Sequence, residues 1–238
     1  MLISNVVLTF GRVGEMKTQK SVEQDRIQME DYISRIPDTT SVAQFKPSDE
    51  IIRLPLKFDI EKLRSAVDDL SDGKGFIDMG SGFQATTLTK RPGVSVVSDN
   101  DLSGRFYTRI DETLIEQARD DIIDESEFCD FVDEYKGTYL EYVHQELSKR
   151  YPIGRMRVLL KEIYNCNSWH RDPEPRLHIP VYTNPGALFI VNHHCTHLPA
   201  DGSVYFTDTR GYHTALNGGE SNRVHIVAAL AYPEAVIL

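Results

Sequence analysis

Only three cysteines occur in 238 residues, Cys129, Cys166 and Cys195, and they are far apart and in no Cys-X-X-Cys pair. That scarcity excludes a disulfide framework and predicts reduced, partly buried thiols. Basic residues are also short: 26 Lys and Arg stand against 36 Asp and Glu, for a formal charge of -10. An acidic chain repels phosphate backbones, which argues against nucleic acid as a bulk partner while leaving room for a local basic groove. No apolar run reaches the roughly 18 residues of a spanning helix, so no helical membrane segment is expected. The opening MLISNVVLTFGRVGEMK has no basic residue ahead of its apolar stretch and no small-residue cleavage site. The expected location is therefore the cytoplasm.

What is present is 40% hydrophobic residues, enough for one sizeable core. Residues 1–45 are mixed and polar, with a weak helical pattern from Ser21 to Ile36 that ends at Pro37, and read as an accessory segment. Residues 46–238 read as a single domain. IIRLPLKF reads as a strand, Asp59 is placed to cap a helix running to Leu70, and FIDMGSGFQATTLTK reads as glycine-rich turns. Residues 111–150 carry an apolar stripe, including Leu114, Ile115, Ile122, Phe128, Tyr135, Val143 and Leu147, that predicts helical support. From 151 to 238 the pattern turns to β. MRVLLKEIY, RLHIPVYT, ALFIVNHH, GSVYFTD and RVHIVAALAY are five strand-like runs separated by Pro, Gly, Asn and Asp. Their rhythm predicts a barrel or two-sheet sandwich, with the chemistry in this half.

His170-Arg171-Asp172 puts an imidazole and a carboxylate on one side of an extended backbone, because side chains two apart share a face. Two such ligands and one distant His make the three-residue face that holds nonhaem Fe(II) and leaves adjacent coordination positions open. A His-X-Asp pair is expected about once by chance in a chain of this composition, so the pair alone decides little. Its company raises it. His213 lies 41 residues after Asp172, and Arg223 opens the next strand ten residues later. A guanidinium takes a carboxylate through two parallel hydrogen bonds and keeps its charge at any working pH. The plainer reading of Arg223 is a surface residue at a strand start. Arg176 and His178 are again two apart on an otherwise apolar strand, where a charge is costly without an anionic partner. His225 stands in the same relation to Arg223. These four are read as lining a cavity for a carboxylate-bearing molecule; the plainer reading pairs Arg176 with Glu174 or Asp172 at the surface.

With those residues in place, the stretch from Arg157 to Tyr232 resembles the aspartyl/asparaginyl β-hydroxylase family, which includes bacterial hydroxylases of free proline. The shared order is His-X-Asp (His170, Asp172), Arg-X-His (Arg176, His178), an aspartate-bearing strand (Asp208), a His shortly before an Asn (His213, Asn217) and an arginine near the end (Arg223). The resemblance implies a mainly β protein with flanking α-helices, a double-stranded β-helix (jelly-roll, cupin-like) binding Fe(II), 2-oxoglutarate as cosubstrate and O2. Its implied metal ligands are His170, Asp172 and His213. Arg223 would bind the distal carboxylate of 2-oxoglutarate, with Arg176, His178 and His225 beside it. The implied reaction hydroxylates an unactivated C–H of an amino acid, free or in a protein or peptide, and releases succinate and CO2. Some members carry glycine where Asp172 stands, so retaining the aspartate makes this site resemble the three-ligand hydroxylases. No side chain is assigned as nucleophile, general acid or general base.

Two other groupings have plainer readings. His193-His194-Cys195-Thr196-His197 has zinc-like residues but lacks a second Cys/His group at structural-zinc spacing. His144 and Glu146 fall in the predicted helix, where residues two apart do not share a face. A noncatalytic cupin-like module binding a metal or small acid is the alternative reading, and a metal-dependent hydrolase is a third that leaves the arginines unexplained. Arg105, Tyr107, Tyr164, Asn165 and Trp169 are candidate substrate-facing residues. The particular substrate and the oligomeric state are not written in the sequence.

Overall fold

The β-branched and aromatic runs of the C-terminal half become the long strands of two facing sheets. The computed structural model describes residues 50–231, apart from positions 73, 74, 96, 105, 110–112, 114, 120 and 193, together with Gln24, Ile27, Asp31 and Ser34. In chain order the elements are β1 (Ile51–Lys57), α1 (Ile60–Asp72), β2 (Ile77–Asp78), β3 (Phe83–Thr87), β4 (Thr89–Lys90), α2 (Asp99–Leu102), β5 (Tyr107–Arg109), β6 (Glu116–Ala118) and β7 (Asp130–Phe131). They continue with α3 (Tyr139–Ser148), β8 (Ile153–Lys161), β9 (Asn165–Cys166), β10 (His170–Arg171), β11 (Arg176–Tyr182) and β12 (Ala187–Val191). The last four are β13 (His194–Thr196), β14 (Ser203–Thr207), β15 (His213–Asn217) and β16 (Arg223–Leu230).

The first sheet runs β1-β14-β11-β16-β8-β3-β2, and the second β13-β12-β15-β10-β5-β6 with β9 beside β15. From β8 onward the chain winds between them. β8, β11, β14 and β16 lie in the first sheet, and β10, β12, β13 and β15 in the second. Eight antiparallel strands distributed this way make a double-stranded β-helix of the jelly-roll kind. The sequence expectation of a mainly β fold with accessory helices holds.

Side-chain alternation decides what lies on each face of the first sheet. Leu177, Ile179 and Val181 of β11 and Val224, Ile226 and Ala228 of β16 pack with Leu63, Val67 and Leu70 of α1 and Leu140, Val143 and Leu147 of α3. The other face looks across at the second sheet, where Tyr205 meets Phe189, Val191 and Ala215. Covered on both faces, β16 is buried along its whole length. Asp59 caps α1 as expected, its Oδ1 accepting from the amides of Glu61 and Lys62 at 3.0 and 3.2 Å.

Three expectations are corrected or fall outside view. Residues 111–150 are not a continuous helix: among the described ones only α3 is helical, preceded by β6, β7 and two short 3-10 turns at Glu125–Glu127 and Asp133–Tyr135. The acidic and serine side chains there compete for the backbone, as Asp124 does by accepting from the Ser126 amide at 2.8 Å. Ile115 and Ile122 are accordingly 62% and 49% exposed, while Phe128 and Tyr135 are buried without helical spacing. Cys129 and Cys166 are free and exposed rather than partly buried; Cys195 is half-buried. Within the N-terminal pattern the four described residues are helical, and the rest of that segment lies outside the described residues. The chain divides into two units, Met1–Ser41 and Val42–Leu238, the second holding every strand found among the described residues. Among the described residues no helix is long and apolar enough to cross a membrane.

Truncating the helix-side core should weaken folding without touching the other face of the sheet. Leu63→Ala and Leu140→Ala are each expected to cost about 2–5 kcal/mol. Urea unfolding measures this, and divalent-metal affinity of the folded fraction should be unchanged.

Candidate metal site

His170 opens β10 and His213 opens β15, and the register sets these two residues directly opposite each other. Their rings lie 4.3 Å apart between centroids. Each ring is fixed through its Nδ1, which donates to Ser168 O at 2.7 Å in His170 and to Gly211 O at 3.0 Å in His213. With the proton held on Nδ1, both Nε2 lone pairs are left for a ligand. Asp172 follows β10; its amide donates to Thr209 O at 2.8 Å, and its Oδ2 lies 3.4 Å from His213 Nε2. One ligand atom from each of the three residues falls within a 4.8 Å cluster, and all three are buried. This is the only such group among the described residues.

Burial sets the protonation states. It pushes the His170 imidazole down to about 3, helped by neighbouring His213, and the His213 imidazole down to about 4. Both rings are therefore neutral and able to ligate. The Asp172 carboxyl is pushed up by the same burial, against the pull of Arg176. Arg176 Nη2 lies 3.0 Å from Asp172 Oδ1, an ion pair without hydrogen-bond alignment, and both carboxylate oxygens accept no hydrogen bond. Two neutral imidazoles and a buried carboxylate with open lone pairs form an acceptor-only set, which fits a divalent cation of the iron type.

The four residues expected to hold a carboxylate divide into two sets. Arg176 is buried, not at the surface, yet already engaged: besides Asp172 it lies 3.6 Å from Glu174 Oε1 and donates to Gly104 O at 2.8 Å. The Glu174 carboxyl is pushed up to about 8 by burial and by nearby Glu125. Arg223, His178 and His225 form the other set. Arg223 donates to His225 Nδ1 at 2.9 Å, and the Nδ1 atoms of His225 and His178 are 3.5 Å apart. Nε2 of both imidazoles is buried without a partner. Arg223 has no ion pair among the described residues, and desolvation pushes its guanidinium down to about 9. Phe189 links this set to the His170, Asp172 and His213 trio, its ring 4.9 Å from His178 and 5.7 Å from His213.

The sequence reading marked β8 as a strand but missed its charged face. Its inward face carries Arg155, Arg157 and Lys161, all buried, and Arg157 lines a cavity of about 140 Å3 that reaches His170 and Arg176. Period-two spacing of cations in RMRVLLK was the signal. Asn165 lines this cavity, Tyr164 and Trp169 are exposed, Tyr107 lies under the Arg171 guanidinium at 4.0 Å, and Arg105 lies outside the described residues. Asn217 is a buried tie, donating to Lys161 O, Glu162 O and Ser221 O. Asp208 pairs with Arg210 at 2.8 Å. In the zinc-like segment His197 meets Ala187 O at 2.9 Å, and His193 lies outside the described residues. Glu146 in α3 pairs with Lys149 and Arg150.

No protein-family model matches the chain, and no curated protein does. Some solved structures are similar to it at low identity. An oxidoreductase of the 2OG-Fe(II) oxygenase family from Burkholderia pseudomallei is 14% identical, with a TM-score of 0.46 over 81% of this chain and 95% of that one. The viral collagen prolyl hydroxylase of Paramecium Bursaria Chlorella virus-1 is 10% identical, with a TM-score of 0.44 over 76% and 96%. A prolyl-4-hydroxylase from Pseudomonas putida is 12% identical, with a TM-score of 0.44 over 78% and 94%. Likeness this distant leaves the site to be judged on its own geometry.

Two measurements check that geometry. A divalent cation at a hundredfold excess over its Kd should stabilise the protein by about 2.7 kcal/mol. His170→Ala and His213→Ala should abolish that gain while remaining folded. Metal-free protein should also be acid-sensitive. Unfolded imidazoles titrate near 6.5, whereas those of His170 and His213 titrate near 3 and 4 in the fold, so the unfolded chain binds more protons in between. Their contribution is complete above about pH 6.5 and falls as pH drops, by up to roughly 1.4 kcal/mol per pH unit for each imidazole. Urea unfolding between pH 7 and pH 4 should show this slope, and His213→Asn should reduce it.

Proposed function

We propose that the protein is an Fe(II)- and 2-oxoglutarate-dependent dioxygenase that hydroxylates an unactivated C–H of an amino acid or of an amino-acid residue in a protein, releasing succinate and CO2. One observation carries the reading: a buried acceptor-only trio, His170, Asp172 and His213, shares an interior with Arg223, a buried guanidinium that has no acid of its own among the described residues. A metal-binding module alone leaves that guanidinium unexplained.

Bound Fe(II) would supply the redox chemistry with O2 and the cosubstrate. The chain's own residues do the rest. His170 and His213 present Nε2 because Ser168 and Gly211 hold their Nδ1 protons. Arg176 sets a positive charge 3.0 Å from the carboxylate of Asp172. Arg223 would take the distal carboxylate of 2-oxoglutarate through a two-pronged contact, with the unpartnered Nε2 atoms of His178 and His225 as further donors or acceptors. Their near-complete burial keeps water from the reacting centre. The His-X-Asp, Arg-X-His, His and Arg order supports a place beside the aspartyl/asparaginyl hydroxylases, in the branch that keeps the metal-binding aspartate. A cytoplasmic setting and a substrate other than nucleic acid belong to the same proposal.

Loss of Arg223 separates this reading from a simple metal site. Arg223→Ala should cost about 3 kcal/mol, roughly a hundredfold in 2-oxoglutarate affinity, with metal affinity nearly unchanged. Arg223→Lys keeps the charge without the planar fork and should fall between. Titration of 2-oxoglutarate into anaerobic, iron-loaded protein, followed by its visible absorbance, measures both; equal affinities in wild type and Arg223→Ala would remove Arg223 from the site. Succinate formation that requires iron and stops without O2 checks the reaction class, whereas a hydrolase would continue.

A further inference from the structure

The inward face of β8 carries three buried cations, and two have evident partners. Arg155 is held against Glu125 and donates to Ser103 O at 2.7 Å, and Lys161 donates to Asn165 and Asn167. Arg157 is different. Its Nη1 donates to Leu102 O, but its Nε and Nη2 are buried with no hydrogen-bond partner, and it makes no ion pair among the described residues. A guanidinium withdrawn from water without an anion costs several kcal/mol, so such a group in a folded interior points to a missing partner.

The cavity supplies the place for one. Arg157 lines it together with His170, Arg176, Phe83 and Asn165. Gly104 keeps the approach clear: a Cβ there would come within 2.8 Å of Arg157 Nη2 and 2.6 Å of Arg176 Nη1. Arg176 already faces Asp172 and Glu174, so Arg157 is the cation in this wall with charge to offer. The volume, about 140 Å3, is several times what a single water needs and suits a small molecule or one side chain.

Arg157 and Arg223 mark separate anion positions. On the ladder between β8 and β16, Arg157 pairs with Val227 and Arg223 pairs with Lys161. Four residues along a strand is about 13 Å between Cα atoms, so the two guanidiniums spring from different places on the sheet. Each is read as serving its own anion.

We propose that the cavity between Arg157 and His170 receives the molecule to be hydroxylated and that Arg157 holds a carboxylate of it, which makes the substrate a carboxylic acid, presented as a free small acid or as an acidic side chain. The assignment rests on the oxygenase reading of the metal site. It sets Arg157 as the residue that selects substrate and Arg223 as the one that holds cosubstrate.

The test uses anaerobic protein loaded first with Fe(II) and then with 2-oxoglutarate, each step measured by calorimetry. Three probe sets follow: free L-amino acids, their α-amides, and blocked aspartyl and glutamyl dipeptides. A free acid or a blocked acidic dipeptide should bind, and whichever does identifies the source of the carboxylate. Arg157→Met should weaken that binding at least tenfold and leave 2-oxoglutarate affinity within about twofold. Its melting temperature should stay the same or rise, because an unpaired buried charge is replaced by an apolar chain of similar length. Arg157→Lys should lie between. Should Arg157→Met fail to fold, Arg157→Lys and Gly104→Ala carry the test, and both must weaken acid binding. Undiminished acid binding in these variants, loss of 2-oxoglutarate affinity in Arg157→Met, or binding confined to the amides would each overturn the proposal, as would no acid binding to loaded wild type. If wild type takes up neither Fe(II) nor 2-oxoglutarate, the oxygenase reading fails at the loading steps, before any probe is added.

Discussion

Asp172 has a carboxylate with no contact with solvent, 3.0 Å from the guanidinium of Arg176 and 3.4 Å from the Nε2 of His213. Withdrawing a carboxylate from water costs several kcal/mol even after relaxation, and a partner recovers this only with good geometry. Arg176 supplies charge without alignment, so the oxygens of Asp172 still face inward with their lone pairs open. The imidazoles opposite them are neutral through burial and turn their own lone pairs to the same point. Three acceptors converging with no aligned hydrogen-bond donor among the described residues make a cation the natural completion of this interior.

Such an arrangement is stable only because the fold moves its apolar core elsewhere. In an ordinary sandwich the space between the sheets is the hydrophobic core. Here much of the apolar packing lies on the outer side of the first sheet, where α1 and α3 cover Leu177, Ile179, Val181 and Ile226. The space between the sheets is left to Arg155, Arg157, Arg176, Arg223 and the histidines, with a smaller apolar cluster around Phe189 and Tyr205. The helices thus act on the site indirectly, by stabilising the sheet whose other face carries the charges.

Rigidity comes from the ladder. His170 and His213 are register partners, so their separation is set by backbone hydrogen bonds rather than by loops. The carbonyls of Ser168 and Gly211, each two residues before its histidine, choose the tautomer. A site supported by strand register and backbone acceptors is pre-formed, which limits the entropy lost when a ligand binds.

Much of this was legible in the residues alone. Alternation and turn chemistry marked β8, β11, β12, β14 and β16, and His-X-Asp followed by a distant His picked out three side chains that the fold does bring together. The helical stripe over 111–150 misled, because apolar residues at irregular spacing bury Phe128 and Tyr135 equally well from turns, and local acid and serine contacts win the backbone. Local order along the chain determined which side chains share a face, since period two is a property of any extended backbone. Which faces meet, and which charges find partners, was decided only in three dimensions. Arg155 and Arg157 are two residues apart on the same face of one strand, yet one is hydrogen-bonded to Glu125, 30 residues away in sequence, and the other makes no ion pair among the described residues. That difference depends on strand register and loop placement, which sum many weak contacts over the whole chain and leave no mark on any short stretch of it.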